Sequence, residues 1–247
     1  MPYKLKMILQ QEDKNKYSYY MGSLLQGVLM EMMEKDYAQY LHISNLHPYS
    51  QCIYNKNDRL VWEINCLNEE AKLKIIDKLL DNTFQNINLK HRKETLQIST
   101  KELEYISYKE LSDQYYMGQG ERYIPIKFVT PVSFKKDGEY MIFPSERLIF
   151  QSLMKKYDAS SESFQVYTDE VLEHYEKYSQ ITKYRLRSVP YYLEGVKIPA
   201  FMGELTIRVK GPQQMVNLAW MLVKFGTFSG IGIKTGLGMG GMHIEES

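Results

Sequence analysis

The chain has 247 residues, with 31 lysines and arginines against 30 acidic residues, 44% hydrophobic and 25% charged side chains, and a mean hydropathy of -0.43. This is the balance of a water-soluble globular protein, long enough for two domains, and no run approaches the roughly 18 to 20 apolar residues that span a bilayer. Cys52 and Cys66 are the only cysteines, too few for a disulfide framework and not spaced as a metal knuckle, so structural zinc is not expected. The opening MPYKLKMILQQEDKNK lacks the apolar core of a signal peptide, and the expected location is the cytoplasm. A net charge of +1 hides a gradient. Residues 181–240 carry Lys183, Arg185, Arg187, Lys197, Arg208, Lys210, Lys224 and Lys234 against Glu194 and Glu204 only, a local excess suited to a polyanion.

In chain order, Tyr3, Leu5, Met7 and Leu9 alternate with less apolar neighbours, the period of a half-buried strand. Apolar residues at spacings of three and four over 18–41 predict one amphipathic helix. The run RLVWEINCL predicts a second strand over 59–67, followed by a helix that Asn68 caps, Glu69 and Glu70 favour electrostatically, and residue 82 ends. Two more strands fit 86–108. Strand, helix, strand, then strand, helix, strand is the ferredoxin-like plan. The polar stretch SDQYYMGQGE at 112–121 marks a boundary, giving domains 1–117 and 118–247.

The second half repeats the plan. A strand near 140–143 precedes the helix starters Pro144 and Ser145, a further helix covers 168–178, and strands fit 182–187 and 203–209. Gly211 and Pro212 open the last helix, striped by Met215, Leu218, Ala219, Leu222 and Val223, and Gly226 is its expected stop. The predicted class is α+β: two tandem ferredoxin-like (RRM-like) βαββαβ domains with a C-terminal glycine-rich loop.

That loop, GIGIKTGLGMGG, holds Gly230, Gly232, Gly236, Gly238, Gly240 and Gly241, six of the fifteen glycines. Glycine reaches positive φ and lets backbone N–H groups approach a ligand, so this density beside Lys234 and Thr235 predicts an anion-binding concavity. A flexible hairpin is the plainer reading, against which the interleaved Ile231, Ile233, Leu237 and Met239 look like anchors. A Walker A loop requires glycine where Ile233 stands, and a dinucleotide loop opens a helix, whereas this one follows a helix.

The run KFGTFSGIGIKTGLGMG closely resembles the C-terminal signature of the CRISPR-associated precursor-RNA processing endoribonucleases of the RAMP superfamily. YYMGSLLQGVLM and YAQYLHISNLHPYSQCIY resemble that family's first helix and following loop, and YMIFPSERLIF and VKIPAFMGELTIRVKGP its second domain. The resemblance implies a metal-independent endoribonuclease that cuts CRISPR repeat RNA in the precursor transcript, leaving a 2′,3′-cyclic phosphate and a 5′-OH, with no cofactor. It implies repeat RNA as partner, a CRISPR interference complex as the destination of the guide RNA, and no membrane; the chain would act as a monomer or homodimer. A non-catalytic RNA-binding RAMP subunit of an effector complex is the alternative.

Cutting by an RNA's own 2′-OH needs a base, an acid and positive charge at the phosphate, and histidine suits either proton role. Of five histidines, His42 matches the family's catalytic position; His47 falls in the loop where relatives place a lysine and is assigned to RNA contact. His91 and His174 read as solvated surface and His243 as a strand residue near the glycine loop. Tyr37, near His42 on the helix, and Lys56, past the loop, complete the candidate catalytic set; Tyr40 is a further hydroxyl. Lys183, Arg185 and Arg187 alternate along a predicted strand, which puts them on one face and suits them to an RNA backbone. A charged, protected sheet edge is the plainer reading.

Overall fold

Tyr3, Leu5, Met7 and Leu9 all lie buried in strand β1 (Tyr3–Leu9) of the computed structural model, which describes residues 1–11, 17–43 and 46–245. Lys4, on the other face of β1, is buried as well, so both sides of this strand are covered.

The single helix expected over 18–41 is broken. A 3-10 turn, Tyr19–Met21, runs into a helix at Gly22–Met32; Met33 turns extended with ψ of 156°, and a second helix covers Lys35–Ile43. Met33 is itself a core residue. Periodicity misses the break because Met32 and Met33 satisfy an apolar stripe whichever way the backbone turns.

Residues 49–54, expected in a loop, form most of β2 (Tyr49–Lys56), which pairs with β3 (Arg59–Cys66). Tyr49 through Tyr54 are buried without exception. A strand covered on both faces shows no alternation to read. Asn57 and Asp58 make the hairpin turn at positive φ. Asn68 caps the next helix, its side chain accepting from the Ala71 N–H at 2.8 Å, and the helix spans 69–80 with a π turn at Lys72–Ile76. β4 (Asn86–Leu89) and β5 (Glu94–Tyr105) follow. The antiparallel sheet runs β2-β3-β1-β5-β4, the ferredoxin-like order with β4 added at one edge.

The polar stretch at 112–121, expected to mark the domain boundary, begins inside a helix. Ser107 and Glu110 form a reciprocal capping box, and residues 108–116 are helical, with Leu111, Tyr115 and Tyr116 packed against the second core. β6 (Tyr123–Val132) starts the second sheet, and β7 (Phe134–Lys136) and β8 (Glu139–Met141) form a small hairpin. Ser145 and Thr168 cap helices Glu146–Ser160 and Asp169–Tyr178. β9 (Ser179–Leu193) and β10 (Val196–Val209) then form a hairpin much longer than the sequence pattern suggested. The last helix, Gln213–Ser229, leads to β11 (Met242–Ile244), and the order β11-β6-β10-β9 repeats the ferredoxin-like arrangement.

That helix passes its expected stop at Gly226. A Cβ there would sit 2.7 Å from Leu153 Cδ2 and 2.8 Å from Met242 Sδ, so this glycine lets neighbouring elements pack close, and Gly230, at φ 63°, makes the cap. The two halves touch through polar groups. Ser50 Oγ donates to the Phe228 carbonyl at 2.7 Å, and Glu63 of β3 meets His243 of β11 at 3.2 Å.

Candidate functional site

The glycine-rich loop is a packed wedge. Ile231 and Met239 are buried, and most of 230–241 is enclosed. The N–H groups of Gly230, Ile231, Gly232, Ile233, Leu237, Met239, Gly240 and Gly241 bond to Gly226, Gly240, Ser152, Ser133, Lys234, Lys234, Pro131 and Thr130 respectively. These eight donors are committed to holding the loop. The amides outside that set are those of Lys234, Thr235, Gly236 and Gly238, which narrows the expected concavity to the turn at 234–238. Lys234 stands exposed at its head in a left-handed conformation, φ 58°, which costs a non-glycine residue about 1 kcal/mol.

Beneath the turn lies a lysine that the sequence did not mark. Lys156, on helix Glu146–Ser160, is buried and donates to the Ser229 carbonyl, the Gly230 carbonyl and Thr235 Oγ1 at 3.1, 3.2 and 3.2 Å. Burial pulls its ammonium down from 10.5 to about 7. Thr235 is therefore a buried support whose oxygen is taken.

The first half closes on the same turn. Gln51, fully buried in β2, donates to the Gly22 carbonyl at 2.7 Å and the Gly236 carbonyl at 3.2 Å, and accepts from Trp62 Nε1 at 2.9 Å. A Cβ on Gly236 would lie 2.9 Å from His47 Nδ1, so His47 sits against the loop, its ring stacked on Tyr49. His42 is exposed in the last turn of helix Lys35–Ile43. His47 follows five positions later, a reach of at most about 18 Å; residues 44–45 of that connection lie outside the described residues.

Two candidate catalytic residues are not brought here. Tyr37 belongs to the first core, 6% exposed, its hydroxyl enclosed and its acidity suppressed first by burial; the helix break turns this face inward. Lys56 is exposed at the far end of β2. It lies seven positions along the strand from Tyr49, about 23 Å, because the expected loop is a strand. Tyr40 is exposed and stacks on Tyr37. His91 is exposed, whereas His174 departs from its expected solvated position: its ring packs on Tyr178 and Gly211.

Lys183, Arg185 and Arg187 are exposed on β9, an edge strand of its sheet. Strand alternation continues their face through Val189 to Tyr191, and Tyr191 donates its hydroxyl to the Leu237 carbonyl in the glycine loop. One strand thus ties the basic row to the loop. Among 21 tyrosines Tyr191 passed unmarked, although its place in the same period was readable. Among the described residues no three histidine, cysteine or acidic side chains form a metal cluster, and no helix is long and apolar enough to cross a membrane.

The family model described as CRISPR-associated endoribonuclease Cas6 matches residues 126–242. The chain is 34% identical over 220 residues to the CRISPR-associated endoribonuclease Cas6 of Streptococcus thermophilus, covering 89% of each chain. It is 31% identical over 226 residues to that of Mycobacterium tuberculosis, covering 91% of this chain and 72% of the relative. The fold agrees with a Cas6 product complex at a TM-score of 0.82 and 22% identity, over 99% of this chain and 100% of the other. It agrees with Thermus thermophilus Cas6 at 0.73 and 20%, over 99% and 98%. Sequence identity across nine-tenths of the chain establishes that it belongs to the Cas6 family of CRISPR-associated endoribonucleases.

Proposed function

We propose that this chain cuts the repeat RNA of a CRISPR precursor transcript by internal transesterification, with no metal ion. The 2′-oxygen before the cut attacks the adjacent phosphorus, the bond from phosphorus to the 5′ oxygen breaks, and a 2′,3′-cyclic phosphate and a free 5′-OH result. One group takes the 2′ proton and another supplies the proton to the leaving oxygen. His42 is one of that pair: it is exposed, lies in the last turn of its helix, and carries an imidazole, whose two nitrogens suit either proton role. His47 and Lys234, with the amides of the 234–238 turn, supply the charge around the phosphate. Lys183, Arg185 and Arg187 hold the RNA backbone.

The observation that carries this reading is that His47 and the basic strand β9 both meet the glycine loop, His47 against Gly236 and β9 through the Tyr191 bond to Leu237. It includes a division near residue 117 between a half bearing His42 and a half bearing the loop. The protein works in the cytoplasm as a monomer or homodimer and passes its guide RNA to a CRISPR interference complex.

Cleavage of a labelled cognate repeat in EDTA tests it. Wild type is expected to cut; a 2′-deoxy sugar at the cut site abolishes cutting, and His42→Ala slows it by about 10² to 10⁴. Tight binding without cutting by the wild type would leave a guide-RNA-holding subunit as the better reading. Undiminished cutting by His42→Ala would move the proton role elsewhere.

A further inference from the structure

Beside the basic row lies an aromatic group that none of the chemistry above uses. Tyr19 and Tyr20, in the 3-10 turn before the first helix, have ring centroids 4.3 Å apart and a hydroxyl contact of 3.0 Å. Tyr20 lies 6.5 Å from Tyr192 near the end of β9. The three differ in burial. Tyr19 packs against the buried cluster that contains Val189, Tyr191, Met202 and Met239, whereas Tyr20 and Tyr192 leave 43% and 56% of their surface open. Exposed aromatic rings cost free energy in water unless something covers them.

Cations flank the rings. Arg187 is near enough for its charge to act on the Tyr19 phenol, whose proton affinity burial and the Tyr20 bond together push up to about 12. Arg185 and Lys183 continue the row along β9. At the other end, Tyr191 is bonded to the glycine loop. By strand alternation Tyr192 points to the face of β9 opposite Arg187 and Tyr191, so Tyr20 and Tyr192 meet beside the edge strand rather than on the basic face. Exposed flat rings there, next to cations, match a polyanion whose repeating unit carries one phosphate and one flat ring. The ring centroids of Tyr20 and Tyr192 lie 6.5 Å apart with their planes tilted by 36°, so a base would stack on the open face of one ring and pack against the edge of the other.

We propose that Tyr20 and Tyr192 form a stacking site for one unpaired base of the RNA, held next to the cut by Arg187 and the glycine loop. The inference rests on the RNA-cutting reading and adds to it a recognition element for single-stranded sequence. Every base has a π face, so the site would accept any base and would register strand position more than identity. It requires the RNA to be unpaired there, since a base inside a duplex presents no free face.

The test is an abasic scan. A series of repeat RNAs, each with one base deleted at a single position and its phosphate kept, is titrated against wild type and against the double variant Tyr20→Ala/Tyr192→Ala. In wild type, one position is expected to lose about tenfold in affinity when its base is removed. In the double variant that position becomes insensitive, because the partner rings are gone, while Tyr20→Phe/Tyr192→Phe keeps the wild-type pattern. A scan that stays the same in the alanine variant would overturn the proposal, and so would equal losses at all positions. If wild type binds the repeat RNA no better than DNA of the same sequence, the RNA-cutting reading falls with it, an outcome distinct from a flat scan on a tight complex.

Discussion

The Lys156 ammonium donates to Thr235 Oγ1 at 3.2 Å from a position with almost no access to solvent. Its two other bonds go to backbone carbonyls, so the acceptors at the foot of the glycine loop are neutral. Burial lowers the lysine from 10.5 to about 7 in the folded state. Between those values the unfolded chain binds more protons than the folded one, so this group makes stability rise with pH from about 7 to about 10.5. Lys156→Met is expected to remove that slope, and to cost about 1 to 3 kcal/mol at high pH by leaving the loop oxygens without a donor. Urea unfolding of both proteins at pH 7, 8.5 and 10 measures it; parallel curves would show that the ammonium is not suppressed.

The close approach of Gly22 to Gly238 yields a second prediction. A Cβ on Gly22 would meet the Leu237 carbonyl oxygen at 2.6 Å and Gly238 Cα at 2.8 Å. Both are backbone atoms, so neither can swing aside. Gly22→Ala is expected to destabilise by about 1 to 3 kcal/mol and to slow single-turnover cleavage even at saturating RNA, since it pushes the turn away from the first helix. Gly27, one and a half turns along the same helix, has nothing within 4 Å of its Cβ position. Gly27→Ala should instead stabilise by about 1 kcal/mol. Equal behaviour of the two variants would mean that the loop moves freely against the helix.

These two glycines show what the sequence could and could not reveal. Elements whose sequence keeps a regular apolar period were legible from pattern: β1, where lysines mark the second face, the Asn68-capped helix, the last helix and the basic row of β9. β2 was not, because burial on both faces erases alternation, and that omission misplaced Lys56 by most of a strand. The density of glycine in 230–241 identified the loop, but not that eight of its amides hold the loop itself. Four of those bonds go to Thr130, Pro131, Ser133 and Ser152, 80 to 111 residues away, which no local pattern brings near. Lys156 looked like one more charge on an amphipathic helix, and only the packing of the loop over it makes it a support.

The third prediction concerns Glu63, where the halves meet. Its carboxylate, almost wholly buried, faces Lys4 at 3.4 Å, the Tyr54 hydroxyl at 3.1 Å, Asn65 at 3.4 Å and His243 at 3.2 Å. Burial by itself would raise the carboxyl; Lys4 first, then the His243 bond, overcome it and hold it at about 2. A folded value below the unfolded one stabilises above pH 4.5 or so, and that contribution is lost as pH falls from there through about 2. Glu63→Gln should remove the acid slope and cost about 3 to 5 kcal/mol at pH 7, because Lys4 remains buried without a counter-charge. Adding Lys4→Met should recover most of the loss, since an apolar replacement of the whole pair spares the desolvation of both ions. Urea unfolding of the two single variants and the double variant forms the cycle. Additive losses would show that Lys4 and Glu63 act independently, and that the seam between the two halves depends on packing rather than on this charge pair.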